Sequence, residues 1–147
     1  MNARRLPWLA LAFALWLMSG CARAPGGRTA IQERYDALAA AVRVGDIGRV
    51  HALWTADPAA AGSPLATLED ARISRGRVTE WTTTVQRWRM VGDTAVVDAG
   101  VRSAVTHEQS STVTSQVVRG FWVHDANGWR IVRTEPLGAA DVESAAR

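Results

Sequence analysis

Lysine is missing from this 147-residue chain, and cysteine and tyrosine occur once each. Without lysine there is no side-chain amine for Schiff-base chemistry, and all 17 basic residues are arginine. A single cysteine excludes a disulfide within the chain, so its folded part must be held by an apolar core alone. Apolar runs of membrane-spanning length are lacking too. The longest, residues 6–18, covers about 13 positions where a helix crossing the bilayer needs ~20. Nor is there an excess of one charge. Beyond residue 20, 15 arginines face 14 acids and are scattered rather than clustered, which removes the electrostatic footprint expected of a nucleic-acid binder.

What is present begins with a secretory pattern: Arg4 and Arg5, the apolar run, then Leu17-Met18-Ser19-Gly20-Cys21. The last five residues resemble the lipobox of bacterial lipoproteins, with Met18 in place of the usual leucine at −3. Small residues at −2 and −1 suit a narrow peptidase cleft, and the cysteine sulfur takes the diacylglycerol. The resemblance implies lipidation of Cys21, cleavage before it and acylation of the new N-terminus. Three acyl chains make a firm anchor where one would not. The expected location is therefore extracytoplasmic, at a bacterial membrane. An ordinary signal peptide that leaves a free thiol is the competing reading.

Residues 1–20 are thus read as signal peptide, 21–28 as lipidated cysteine and flexible tether, 29–137 as one domain and 138–147 as a polar tail. At the start of the domain, Thr29 and Gln32 have capping-box spacing, and Ile31, Tyr35, Leu38 and Val42 share one helical face. Gly45 suits a left-handed helix stop. Asp46 can then cap a second helix in which Ile47, Val50, His51, Leu53 and Trp54 cluster, and Ser63 can open a short third one. From Arg75 onward the period changes to two. Gly92-Asp93 separates strands over 78–90 and 94–106, and Asn127-Gly128 separates 112–124 from 129–134. In the second strand Ala95, Val97, Ala99, Val101 and Val105 share one face, with Asp98 and Arg102 on the other. The expected fold class is α+β, with N-terminal helices packed on a curved four-stranded antiparallel sheet.

The opening from Tyr35 to Asp57 around Gly45-Asp46, and the ending Phe121-Trp122-Val123-His124-Asp125-Ala126-Asn127-Gly128-Trp129-Arg130-Ile131, resemble the nuclear transport factor 2-like superfamily. That cone-shaped, cystatin-like fold includes ketosteroid isomerase, polyketide cyclases, limonene epoxide hydrolase and many non-enzymatic domains. An isomerase-like site needs a tyrosine, a protonated acid and a carboxylate base. Tyr35 lies about one turn too far from Gly45-Asp46. Gly62-Ser63 stands where the resemblance places the base, and Val118 is near the place of the acid. No catalytic residue is therefore assigned.

Asp98 and Arg102 have the spacing of an exposed ion pair on one strand face. His51, His107 and His124 lack metal-ligand spacing, so no metal or other cofactor is expected. Trp81 and Trp88, seven apart, should face opposite sides of an unbulged strand. A concave sheet carrying Trp81, Trp88, Arg119 and Trp122 would suit a small apolar acid or a peptide. The expected function is a lipid-anchored binding or interaction module whose partners are the membrane, a protein or a small hydrophobic ligand, with a homodimer through the sheet as a further possibility. The alternative is a cone-pocket isomerase, cyclase or hydrolase. Two of Asp98, Arg102, Arg119 and Glu135 converging in an enclosed pocket would favour the enzyme.

Overall fold

The computed structural model describes residues 26–138, so Cys21, the signal peptide, most of the tether and nearly all of the polar tail lie outside the described residues. Helix α1, Gly27–Val44, starts two residues before the expected Thr29. Its buried stripe is the one read from the sequence: Ile31, Tyr35, Leu38 and Val42, widened by Ala39 and Ala41. Gly45 ends it at φ 70°, where its N–H reaches back to the helix carbonyls and a side chain would be strained. The capping box does not form. Gly26 occupies the N-cap, Thr29 lies inside the helix, and Gln32 is engaged elsewhere.

Asp46 caps α2, Ile47–Leu53, by accepting from the Arg49 N–H at 3.0 Å. Val50 is the fully buried residue of this helix; of the expected five-residue cluster, Val50, the following Trp54 and the half-buried Leu53 pack into the core, while Ile47 and His51 are exposed. Ser63 accepts from the Ala66 N–H and opens α3, Pro64–Ile73, with proline in the first turn where its missing N–H costs nothing.

Four antiparallel strands follow as a meander, β1 (Arg77–Val91), β2 (Thr94–Thr106), β3 (Ser111–Asp125) and β4 (Gly128–Pro136), in the order β1-β2-β3-β4. The inner face of β2 is the expected one. Ala95, Val97, Ala99 and Val101 are buried against the helices.

Register shifts mark bulges at Thr79 and Gln86 in β1 and at Val132 in β4. The bulge at Gln86 corrects the expectation for the tryptophans. It restores Trp88 to the same inner face as Trp81, and Trp88 covers the start of α1 so closely that a Cβ on Gly27 would lie 2.8 Å from its ring.

Both outer edges of the sheet are blocked over part of their length. The Gln32 carboxamide donates to the Thr83 carbonyl at 2.8 Å and accepts from the Val85 N–H at 3.0 Å, standing in for a neighbouring strand along β1. Arg28 donates to the Val85 carbonyl at 2.9 Å. On the other side, Trp54 forms a parallel bridge to Ile131, and the Thr55 hydroxyl donates to the Ile131 carbonyl. β4 is shorter than β3. Its pairing covers Val118–Asp125, and Leu137 adds one hydrogen bond to the Val117 carbonyl.

Candidate ligand cavity

Inside the cone the aromatic residues pack against one another. The Tyr35 ring meets Trp122 edge-on at 5.0 Å and 78°, and Gly120 leaves room for both, since a Cβ there would lie 3.3 Å from the phenol oxygen and 2.9 Å from the indole nitrogen. Tyr35 is only 2% exposed. Burial pushes its pKa well above the ordinary tyrosine range, and the adjacent Trp122 N–H offsets part of the rise although the two atoms fall outside regular hydrogen-bond geometry. A neutral phenol in a packed core is a structural group.

The two positions at which the resemblance would place a base and an acid do meet. Gly62, at φ 71°, lies against Val118, where a Cβ would come within 3.0 Å of the valine methyls. Val118 carries no polar atom, and Ser63, the other residue at the base position, is buried and accepts from the Ala66 N–H with its hydroxyl, so neither position holds a carboxylate. Trp81, Trp88 and Trp122 all belong to this packing, and Trp81 also borders a polar cleft with Gln32, Asp36 and Arg43.

Asp98 and Arg119 do converge, on the outer face of the sheet. Arg119 grips the Asp98 carboxylate at 2.7 and 3.1 Å, with side-chain exposures of 24% and 3%. Arg102 pairs with Glu80 at 2.8 Å. The expected exposed Asp98–Arg102 pair is therefore replaced by a nearly buried Asp98–Arg119 pair and a separate surface one. Register sets Arg87, Asp98, Arg119 and Glu135 in one row across all four strands. The row explains why Asp98 can be buried: arginines stand on both sides of it. Because it faces away from the helices, it is not part of an enclosed pocket.

The concave side opens where the helices end. There α3 and the loop before it stand over the far ends of β2 and β3, enclosing an open cavity of about 420 Å³. Ser63, Thr67, Asp70 and Ser74 face Ser103, His107, Thr112, Thr114 and Gln116 across it. Part of this polarity is used locally. The Thr67 hydroxyl donates to the Ser63 carbonyl, and the Ser74 hydroxyl to the Asp70 carbonyl at 2.7 Å. Ser103 is 8% exposed and lies at the cavity wall. The His107 ring rests on Gly76, where a Cβ would come within 2.6 Å, and its backbone N–H donates to the Ser110 carbonyl at 2.8 Å. Such a surface can offer hydrogen bonds from several directions to one small molecule.

Of the other histidines, His124 packs edge-on against Trp129 at 5.2 Å and His51 borders an open, largely apolar groove of about 810 Å³ between α2 and α3. Among the described residues, no three of His, Cys, Asp and Glu gather as metal ligands.

Sequence reading missed this cavity. Its signal was the uncharged alternation of Thr112, Thr114 and Gln116, which gives way to Val118, Gly120 and Trp122 along the same face of β3.

No protein-family model matches the sequence, and no curated protein matches it. Solved structures do. An NTF2-like protein with a cystatin-like fold from Novosphingobium aromaticivorans is 18% identical, with 98% of this chain and 99% of that one covered at a TM-score of 0.51. A Mycobacterium tuberculosis protein of unknown function is 14% identical over 95% and 90% of the two chains, with a TM-score of 0.56. The S. rosetta CaMKII hub is 26% identical over 78% and 99%, with a TM-score of 0.51. The fold is nuclear transport factor 2-like. The expected architecture, helices on a curved four-stranded antiparallel sheet, is the one found.

Proposed function

We propose that the chain is a lipid-anchored, non-catalytic binding module at a bacterial membrane, and that the cavity beneath α3 holds a small polar ligand. The observation that carries this reading is the contrast between the packed cone interior, with Gly62 against Val118, and the hydroxyl-lined opening beside it. A ligand rich in hydroxyl or carboxylate groups suits that opening better than the apolar acid expected from the sequence. The anchor rests on the lipobox at Cys21 and its short tether.

Fatty-acid labelling of the wild type and Cys21→Ser tests the anchor: label in the wild type alone supports it, and equal label in both overturns it. Saturation-transfer NMR with a panel of uncharged sugars and hydroxy acids tests the site. Transfer that Ser103→Leu abolishes supports it, and transfer unaffected by that change refutes it.

A second reading keeps a cone-pocket enzyme. It rests on Asp70 and His107 lining the same cavity, where the pair could exchange a proton with a bound substrate. Turnover of any panel compound that is lost in both Asp70→Asn and His107→Gln would favour it.

A further inference from the structure

We propose that Thr112–Gln116 of β3 pairs antiparallel with the same segment of a second copy of this chain, and that the two strands form one wall shared by the two cavities. Among the described residues, no strand pairs with this half of β3 on the side away from β2, because β4 pairs only from Val118 onward. The contrast with the other edges points to an occupant. Gln32 and Arg28 block β1, and Trp54 and Thr55 cover β4, whereas Ser-Thr-Val-Thr-Ser-Gln, residues 111–116, has no charge, proline, glycine or covering side chain among the described residues.

The hydrogen bond from the Leu137 N–H to the Val117 carbonyl shows which way the backbone points. Backbone groups alternate along a strand, so those of Ser111, Val113 and Ser115 also face the open edge, while those of Thr112, Thr114 and Gln116 face β2.

This pattern is self-complementary about Thr114. A two-fold axis there sets Val113 opposite Ser115 of the partner subunit as a hydrogen-bonded pair on each side of the axis, and stops short of Val117, whose carbonyl is taken by the Leu137 N–H. Thr114 then meets Thr114 of the partner subunit as a close, non-hydrogen-bonded pair. No like charges are opposed anywhere in the register.

Val113, 50% exposed, is covered on the outer face. On the inner face Thr112, Thr114 and Gln116 already line the cavity, so the same residues of the second strand continue its hydroxyl surface. An extended peptide of another protein could use the same hydrogen bonds. The symmetric, uncharged register favours a second copy.

The test uses the full chain with Cys21→Ser, so that an introduced cysteine is its sole thiol. A Cα separation of about 4.5 Å in the Thr114 pair suits a disulfide. Thr114→Cys is expected to give a covalent dimer under mild oxidation, and a mixture of Thr112→Cys and Gln116→Cys chains to link to each other faster than either links to itself. Thr114→Cys oxidising no faster than Thr84→Cys, on the blocked side of the sheet, would overturn the proposal.

Ser115→Pro removes an amide facing the open edge without touching the β2 ladder. It is expected to raise the dimer dissociation constant about 100-fold in sedimentation equilibrium while near-ultraviolet dichroism stays native. Ser115→Ala should leave the constant unchanged. If Ser115→Pro fails to fold, Thr114→Lys, which opposes two like charges, takes its place with the same expectation. A wild-type chain that stays monomeric at all concentrations, whether its edge is bare or covered by residues 139–147, contradicts the proposal.

Discussion

Along β3, the stretch from Val118 to Asp125 is paired on both sides and turns Val118, Gly120 and Trp122 toward the helices; among the described residues, the stretch from Ser111 to Gln116 is paired on one side and turns Thr112, Thr114 and Gln116 toward an open cavity. One strand thus serves two purposes, and its side chains change where the helical cover ends. The covered half is specified by volume: glycine at Gly120 admits Tyr35 and Trp122, and Gly62 admits Val118. The open half is specified by hydrogen-bonding groups and by the absence of charge. The difference separates what holds this fold from what it presents to other molecules.

The largest test of that division compares Trp122→Ala with Thr114→Ala. Emptying the aromatic core should cost ~3–5 kcal/mol in denaturant unfolding, whereas the threonine change, on an exposed strand face, should stay within about 0.5 kcal/mol. Equal losses would erase the distinction between the halves.

Next in size is the outer row. Asp98→Ala removes the buried carboxylate that Arg119 grips and that stands between Arg87 and Arg119, and should cost about 2–3 kcal/mol, somewhat less than breaking a fully buried pair. Removing both charges in Asp98→Leu with Arg119→Leu should recover most of that loss, as a double-mutant cycle would show.

Gln32→Leu leaves the Thr83 carbonyl and the Val85 N–H at an uncovered edge. It should cost about 1–2 kcal/mol and raise light scattering as β1 edges associate.

Among the changes to buried groups the smallest effect is expected at Tyr35→Phe, within about 1 kcal/mol, because the phenol oxygen makes no regular hydrogen bond. Its pH dependence is diagnostic. The pKa of folded Tyr35 is raised above its unfolded value, so the stability linked to it is fully present below the ordinary tyrosine range and is lost as pH rises through that range and beyond. As the only tyrosine in the chain, Tyr35 should show tyrosinate absorbance only together with unfolding. An early, folded-state titration would place it at an open pocket instead.

Much of the fold is legible in residue pattern. The helical stripe of Ile31, Tyr35, Leu38 and Val42, the stops at Gly45 and Asp46, and the alternation in β2 are local signals, and each element formed where they stand. Bulges are not local in this sense. The one at Gln86 reverses the facing of Trp88 because one extra residue is accommodated by partner strands, and no residue type at Gln86 announces it.

Gln32 likewise had two uses in the sequence. The capping-box reading lost because Gly26 already sets the helix start and the carboxamide finds two unpaired backbone groups on β1. Asp98 reads as a surface acid from its own strand. Only the register with Arg119 on β3 reveals that it is buried. The cavity was harder still, because its walls come from α3, β2 and β3 and its chemistry consists of hydroxyls, whose abundance in a sheet is unremarkable.

The most direct test of the division between packed cone and polar opening is mass spectrometry of small molecules co-purifying with the full chain, compared with Ser103→Leu and Trp88→Leu. The expected result is a polar, hydroxyl- or carboxyl-rich compound retained by the wild type and by Trp88→Leu and lost in Ser103→Leu. An apolar compound whose retention depends on Trp88 and not on Ser103 would contradict the account and return the binding site to the interior of the cone.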